Sequence, residues 1–166
     1  TKWLPAMVQG TIGTLALLDN EDWGATSTSC VLTGKDDQLE LKGKKLLVHD
    51  ASVSDFFLVL AQHDGAEVLV IVESSQLASN AITCKTLVDE TKRAANVDFT
   101  GVTIQSDAIL PSGGAALADL RLIGALLIAS EATGSAAGAL DTVVDYLTTR
   151  KQFGRLIGSY QSLKHP

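Results

Sequence analysis

The segment that follows position 149 holds the residues with the most distinctive chemistry. It reads RKQFGRLIGSYQ and brings together a cation at Arg150, an amide at Gln152, an aromatic ring at Phe153 and a glycine at Gly154. A guanidinium group stays charged and can donate two parallel hydrogen bonds to one planar or tetrahedral anion. Each residue taken singly also has a structural interpretation, because Arg is favoured at helix C-termini, Gly ends helices and Phe anchors cores.

Other catalytic patterns do not stand out in the sequence. There is no Ser/His/Asp order, no phosphate loop and no GxGxxG motif, and the GSAAG run at 134–138 falls inside a predicted helix. Cys30 and Cys84 lack the paired spacing of a zinc site or a disulfide framework, so we predict no bound metal. No two carboxylates have the spacing of a general acid and base. The sequence therefore identifies no catalytic residue.

Composition excludes several classes of function. The 166 residues include 13 Lys and Arg against 19 Asp and Glu, a formal net charge of −6, which argues against nucleic acid as a partner. The most apolar run, at 122–129, is far shorter than the roughly 20 residues of a membrane span. The first ten residues lack the basic start and apolar stretch of a signal peptide. We expect a cytoplasmic protein without a membrane span.

The elements that must position these residues fall into two halves. From Thr14 to about Ile104 the sequence consists of short apolar or alternating runs rich in β-branched residues, separated by Gly, Asp, Asn and Ser. From Ala115 to about Gln152 there is no proline, and apolar residues recur at helical spacing. The prediction is an α+β fold: an antiparallel β-barrel or sandwich, then a long Ala-rich helix and the start of a second helix at 156–165.

The predicted long helix poses a packing problem. It would be about 50 Å long at about 1.5 Å per residue, and its middle is apolar or small nearly all round. Such a helix is normally buried on most sides. Since the β half must bury its own strands, we expect the chain to be incomplete or obligately partnered.

The order of these elements, together with the segment ALDTVVDYLTTRKQFGRLIGSYQSLKH, resembles the acyl-CoA dehydrogenase family. In that family a Tyr precedes R-x-Q-F-G, followed by a short apolar link and a Gln with a His soon after. The matching positions are Tyr146, Arg150, Gln152, Phe153, Gly154, Gln161 and His165. KWLPAMVQG and GKKLLVHD are similar to the family's entry into its middle β-domain and to its Gly-x-K strand beside the flavin. The resemblance places residues 1–110 in the middle β-domain and 111–166 in the first part of the C-terminal helical domain.

The resemblance implies an activity and a cofactor. It implies oxidation of an acyl-CoA thioester to a 2-enoyl-CoA with FAD as hydride acceptor, with the catalytic glutamate outside this chain, so that the chain alone would be inactive. It also implies a homo-oligomer, dimer or tetramer, or a hetero-oligomer with a related subunit. The alternative is a non-catalytic partner subunit that completes a neighbouring subunit's FAD site. A small-ligand-binding β-barrel with a helical arm would leave the RKQFG spacing unexplained.

The resemblance also assigns cofactor-binding roles after position 149. Arg150 would reach the pyrophosphate of the FAD of a neighbouring subunit. Gln152, Phe153, Ile157 and Gln161 would line the groove for the adenosine part. Cofactor binding and assembly of the subunits would then be coupled.

The residues implied to contact the chain's own flavin depart from the family pattern. Leu18, Asp19 and Asn20 stand where the family has T-E-P, and Leu47 and His49 replace the Trp and Thr of a Trp-x-Thr motif. His49 either replaces that threonine as a hydrogen-bond donor to the flavin or is a half-exposed strand histidine. Trp23, in the following loop, either covers the flavin edge or plugs the end of the barrel. These departures favour the partner-subunit alternative.

Overall fold

The computed structural model describes residues 2–21, 28–35, 38–110 and 113–164. It confirms the predicted α+β class, a curled β-structure followed by a long helix. The described helices are α1 (Trp3–Val8), α2 (Gly113–Thr149) and α3 (Gln161–Lys164). The described strands are β1 (Gly13–Ala16), β2 (Val31–Lys35), β3 (Gln38–Lys42), β4 (Lys44–His49), β5 (Phe56–His63), β6 (Ala66–Glu73), β7 (Ile82–Lys85), β8 (Ala94–Asp98), β9 (Val102–Ile104), β10 (Lys151–Gln152) and β11 (Arg155–Leu156).

The chain divides into two compact units. One comprises Thr1–Leu117 and the other Ala118–Pro166. The first unit holds β1 to β9 and the first residues of α2, and the second holds the rest of α2, the β10–β11 hairpin and α3. The ranges 1–110 and 111–166 remain our prediction for the domains.

Strands of the first unit form two sheets. The larger has the order β1-β5-β2-β3-β9, with β6 paired along β5, and the smaller has the order β4-β8-β7. Most pairs are antiparallel, as predicted, but β1 and β2 both run parallel to β5. The parallel pairing arises because β1 and β5 are not joined by a hairpin: the chain passes through β2, β3 and β4 between them.

The core of the first unit lies between these sheets. Phe57 and Phe99 are fully buried and meet edge to face, with ring centroids 5.5 Å apart and planes at 76°. This is a favoured geometry for aromatic pairs. Alternate residues of β3 face the core, as the period of two in QLELK predicts. The buried side chains around the two rings include Leu32, Leu39, Leu41, Val59, Val70, Val72, Val97 and Ile104.

Helix α1 was not predicted from the sequence. Pro5 lies in its first turn, where a missing backbone N–H costs no intrahelical bond. The Trp3 ring lies 4.3 Å from that of Phe56, measured between centroids. A helix of six residues is stabilised by tertiary contact more than by its own propensity, so the local pattern does not indicate it.

Helix α2 begins and ends earlier than predicted. We expected it over Ala115 to about Gln152, and it spans Gly113–Thr149. Lys151–Gln152 instead pairs with Arg155–Leu156. The predicted second helix at 156–165 is represented by a 3₁₀ turn at Ile157–Ser159 and by α3. None of the described helices combines the length and apolarity that crossing a membrane requires.

Candidate functional site

A β-hairpin with a two-residue turn follows α2 and carries the RKQFG segment. The amide of Arg150 donates to the carbonyl of Tyr146 at 2.9 Å and closes the last helical turn. Gln152 then pairs with Arg155, which leaves Phe153 and Gly154 as the turn, with φ of 54° and 81°. Two consecutive positive φ values are those of a type I′ turn, whose twist matches that of a β-hairpin.

Phe153 occupies an unusual position in this turn. The left-handed region is uncommon for residues other than Gly, Asn and Asp, and it costs about 1–2 kcal/mol for an L-residue. The side chain is also 93% exposed, so it gains nothing from packing within its unit. A large apolar ring held at a hairpin tip in a strained conformation is an observation that points to binding.

Contacts from the following residues brace the hairpin. The Tyr160 hydroxyl donates to the carbonyl of Gln152 at 3.2 Å, and the Arg155 guanidinium lies 3.8 Å from the centroid of the Tyr160 ring. The amide of Ile157 donates to the carbonyl of Arg150 at 2.9 Å. These contacts therefore hold the Phe153–Gly154 turn in place, in addition to the pairing of the two short strands β10 and β11.

The predicted residues of this segment lie close together along the backbone. Arg150, Gln152, Phe153 and Gln161 are exposed, and Ile157 is half-buried. The backbone of Ile157 contacts Arg150, and Gln161 follows the bracing Tyr160 at the start of α3. We call Arg150, Gln152, Phe153, Ile157 and Gln161 the hairpin set. The sequence did not single out Tyr160 and Arg155, although a Tyr shortly after a two-residue turn was a usable signal.

A second set of predicted residues lies in the first unit, where the end of β1 runs beside β4. The Leu46 amide donates to the carbonyl of Leu18 at 2.7 Å. The Thr14 hydroxyl donates to the carbonyl of His49, also at 2.7 Å. Leu18 and Leu47 are half-buried and His49 is exposed. The structure therefore places Leu18, Leu47 and His49 along one seam, which we call the β1–β4 seam.

Leu47 lies in a β-bulge. In the pairing of β4 with β8, Leu46 and Leu47 stand opposite Asn96 alone, and Leu47 has a φ of 49°. Its amide donates to the Asn96 side-chain oxygen at 3.2 Å instead of to the partner strand. Bulges re-aim side chains and are frequent beside active sites.

The ammonium group of Lys45 lies beneath this seam, and the sequence did not identify it as part of a functional site. Lys45 is fully buried, and its ammonium group donates to the Leu17 carbonyl at 3.3 Å, to Asp19 Oδ1 at 2.9 Å and to the Thr28 hydroxyl at 2.8 Å. The second carboxylate oxygen of Asp19 accepts from the Ser29 amide at 3.2 Å. The local pattern did not indicate this burial, because a period of two groups the apolar Leu46 and Val48 with Lys44. The bulge between Lys45 and Val48 breaks that period, and Lys45 and Val48 are both buried.

Cys30 lies beside this buried pair. Burial raises the pKa of its thiol to about 11, and the nearby Lys45 charge offsets part of that effect. Gly43 has a φ of 142°, and a Cβ at this position would lie 2.8 Å from Cys30 Cα. The thiol is therefore protonated near neutral pH, and its role is packing against the start of β4.

Two residues named from the sequence, Trp23 and His165, lie outside the described residues. Within the described ranges, no group of three His, Cys, Asp or Glu side chains is placed to hold a metal ion. His63 is half-buried, with Nδ1 3.2 Å from the Leu32 carbonyl oxygen.

Residues 116–166 match the family model described as acyl-CoA dehydrogenase, C-terminal domain. The acyl-CoA dehydrogenase FadE12 of Mycobacterium tuberculosis is 25% identical over 180 residues, an alignment that covers 99% of this chain and 45% of the relative. The chain therefore spans about 45% of the length of a curated relative that it matches.

Solved structures show the same fold. A glutaryl-CoA dehydrogenase from Mycobacterium smegmatis, in complex with FADH2, superposes with a TM-score of 0.84 at 20% identity, over 98% of this chain and 44% of the other. The ChsE4–ChsE5 complex of Mycobacterium tuberculosis matches with a TM-score of 0.72 at 21% identity, over 89% and 39%. The FADH2 of the first is the reduced form of the predicted cofactor. The chain therefore has the fold of acyl-CoA dehydrogenases, and its residues 116–166 are similar in sequence to the C-terminal domain of that family.

Proposed function

We propose that this chain forms part of an FAD-dependent acyl-CoA dehydrogenase, which oxidises an acyl-CoA thioester to a 2-enoyl-CoA in lipid metabolism. FAD, when bound, supplies the hydride acceptor for this chemistry. The catalytic glutamate is expected outside this chain, so the described residues would bind and orient the cofactor. The observation that carries the proposal is the exposed, strained Phe153 at the tip of the braced hairpin.

The hairpin set fits the chemistry of FAD. The cofactor combines a pyrophosphate with aromatic and ribityl parts, so it calls for a cation, apolar surface and amide groups together. Arg150 is exposed and forms no ion pair with another described residue, which leaves its guanidinium available to hold the pyrophosphate. Phe153 and Ile157 would supply apolar surface, and Gln152 and Gln161 would supply hydrogen-bonding groups.

The proposal includes assembly with further subunits. Large apolar side chains of α2 are more than half exposed, among them Leu122, Leu126, Leu127, Ile128 and Leu140. Three hydroxyls on α2 donate to backbone carbonyls of the same helix, so they add little polar surface; they belong to Ser130, Thr133 and Thr142. A helix of this character is expected to be covered by other helices. We propose a homo-oligomer in which the hairpin set reaches the FAD of a neighbouring subunit.

A second candidate, a non-catalytic partner subunit, is favoured by the β1–β4 seam. Leu18 and Leu47 lack the hydroxyl and indole groups of the family motifs, and their polar backbone atoms already bond to Leu46 and Asn96. Such a chain would retain the hairpin set for a neighbour while its own flavin contacts are weakened. The ChsE4–ChsE5 complex supports this candidate, since it joins two differently named chains.

Substitution of Arg150 tests the proposal. In the full-length protein, Arg150→Ala is expected to lower the affinity for FAD about tenfold to hundredfold, because a charge-assisted contact with phosphate is lost. The measurement is a titration of the flavin-stripped protein with FAD, followed by flavin fluorescence. Lys151→Ala is the matched control, since it removes an exposed cation from the adjacent position. Equal affinity in the wild type and in Arg150→Ala would contradict the proposal.

We also propose a cytoplasmic location. Cys30 and Cys84 are both free, one buried and one exposed, as is usual in a reducing compartment. A disulfide between Cys84 and another chain in the native protein would argue against this location.

A further inference from the structure

The buried ammonium group of Lys45 requires a physical account. Removing a lysine charge from water costs several kcal/mol even after relaxation of the surroundings, and the cost is offset only by good pairing. Lys45 has three N–H donors and three acceptors, the Leu17 carbonyl, Asp19 Oδ1 and the Thr28 hydroxyl. No donor of this buried side chain is left unsatisfied.

The three acceptors lie at the two ends of one loop. Leu17 and Asp19 follow β1, and Thr28 precedes β2. The Thr28 hydroxyl is itself fully used, since it donates to the Leu60 carbonyl at 3.3 Å and accepts from the Cys30 amide at 3.2 Å. One side chain on β4 therefore ties both ends of the β1–β2 loop together.

The residues next to Lys45 belong to the β1–β4 seam. The Leu46 amide bonds to the Leu18 carbonyl, and Leu47 forms the bulge held by Asn96. The position of the loop end thus determines the surface on which Leu18 and Leu47 lie. An ammonium group with three directional bonds fixes that position more narrowly than apolar packing does, because hydrogen bonds depend on angle as well as distance.

We propose that Lys45 is a positioning residue, which fixes Asp19 after β1 and Thr28 before β2 against β4 and so sets the β1–β4 seam for flavin binding. This inference rests on the proposed function, because the seam has this role only if a flavin lies against it. Lys45 itself does not contact the cofactor. A purely structural ion pair is the competing explanation.

A paired substitution separates positioning from stability. Lys45→Met alone leaves the Asp19 carboxylate buried without its partner, which destabilises the fold for reasons unrelated to flavin. The double variant Lys45→Met/Asp19→Leu replaces the pair with apolar groups of similar size, a change that is often neutral for stability. Its thermal midpoint is expected to return close to that of the wild type. The loop, however, no longer has its directional bonds.

Two readouts are measured on the full-length wild type and on the double variant. Hydrogen exchange at the Leu46 amide is expected to accelerate about tenfold or more, since its bond to Leu18 loses the support of the neighbouring tether. FAD affinity is expected to fall about tenfold, although the protein remains folded. Lys44→Met is the control, because Lys44 is 70% exposed and pairs with Asp98 at the surface, 3.1 Å away. This control is expected to leave both readouts unchanged.

The outcomes distinguish the two proposals. Wild-type exchange and wild-type FAD affinity in a stable double variant would show a merely structural pair and overturn the positioning role. Absence of FAD binding by the wild type itself would overturn the proposed function, and this role of Lys45 with it. If the double variant does not fold, Thr28→Val takes its place: it removes one acceptor and keeps both charges, and unchanged exchange and affinity there would likewise overturn the role.

Discussion

Two single residues in this chain depart from what folding alone favours. Phe153 combines a positive φ with an almost fully exposed ring, and Lys45 places a charge where the fold excludes water. Each arrangement is costly, by backbone strain in one case and by desolvation in the other. A residue whose strain or desolvation free energy is not offset by apolar packing around it is a candidate for a binding or positioning role.

Phe153→Asn is expected to separate stability from binding. Asn tolerates the left-handed region, so the substitution relieves backbone strain and should raise the free energy of unfolding by up to about 1 kcal/mol. The same change removes the aromatic surface and should weaken FAD binding about tenfold. Thermal unfolding and FAD titration of the full-length protein check both effects. Parallel losses of stability and affinity would indicate a packing role for the ring.

At the scale of elements, the hairpin is positioned by its attachment to the end of α2. Gly158 lies in the 3₁₀ turn after β11, and a Cβ there would come 2.8 Å from the Leu147 carbonyl oxygen. Ile157, its neighbour, bonds to Arg150. The close approach of this turn to the helix therefore depends on the absence of a side chain.

Gly158→Ala is expected to displace the turn and with it the hairpin tip. The clash is with backbone, which cannot move aside as a flexible side chain can, so both thermal stability and FAD affinity should fall. A loss of roughly 1–3 kcal/mol is typical of overpacking. Wild-type unfolding and affinity in Gly158→Ala would refute the dependence.

At the scale of the whole molecule, the two candidate functions differ in how many flavins each subunit binds. The hairpin set and the β1–β4 seam belong to different units of the chain. We propose that the hairpin set serves a neighbouring subunit, whereas the seam would face the chain's own flavin. On this proposal an enzyme would need both sets, and a partner subunit would need only the first.

The flavin content of the natively purified full-length protein distinguishes these functions. An active dehydrogenase is expected to release about one FAD per subunit on heating, and a partner subunit about half that or none. The measurement is the flavin absorption between about 350 and 500 nm, divided by the protein concentration. About one FAD per subunit would reject the partner candidate. A content of half or less would reject an independent enzyme.

The sequence by itself determined the α+β class and the resemblance to acyl-CoA dehydrogenases, and it supplied the hairpin set as a prediction. The period at which apolar residues recur distinguishes strands from helices within a short stretch of sequence. The motif is equally local, because its residues lie within one segment: Arg150, Gln152, Phe153 and Gln161. These signals are local, so no tertiary information was needed to read them. Helix α1 was missed because its stability comes from contact with Phe56, which lies far along the chain.

The tertiary structure alone decided how the predicted residues are held. Pairing of β4 with β8 creates the bulge at Leu47, and the end of α2 together with Tyr160 sets the Phe153 turn. Lys45 meets Asp19 and Thr28 only because β4 packs beside both ends of the β1–β2 loop. Burial, bulges and ion pairs of this kind depend on residues distant in sequence. The local pattern does not indicate the burial of Lys45, and only the fold supplies the groups that make this burial possible.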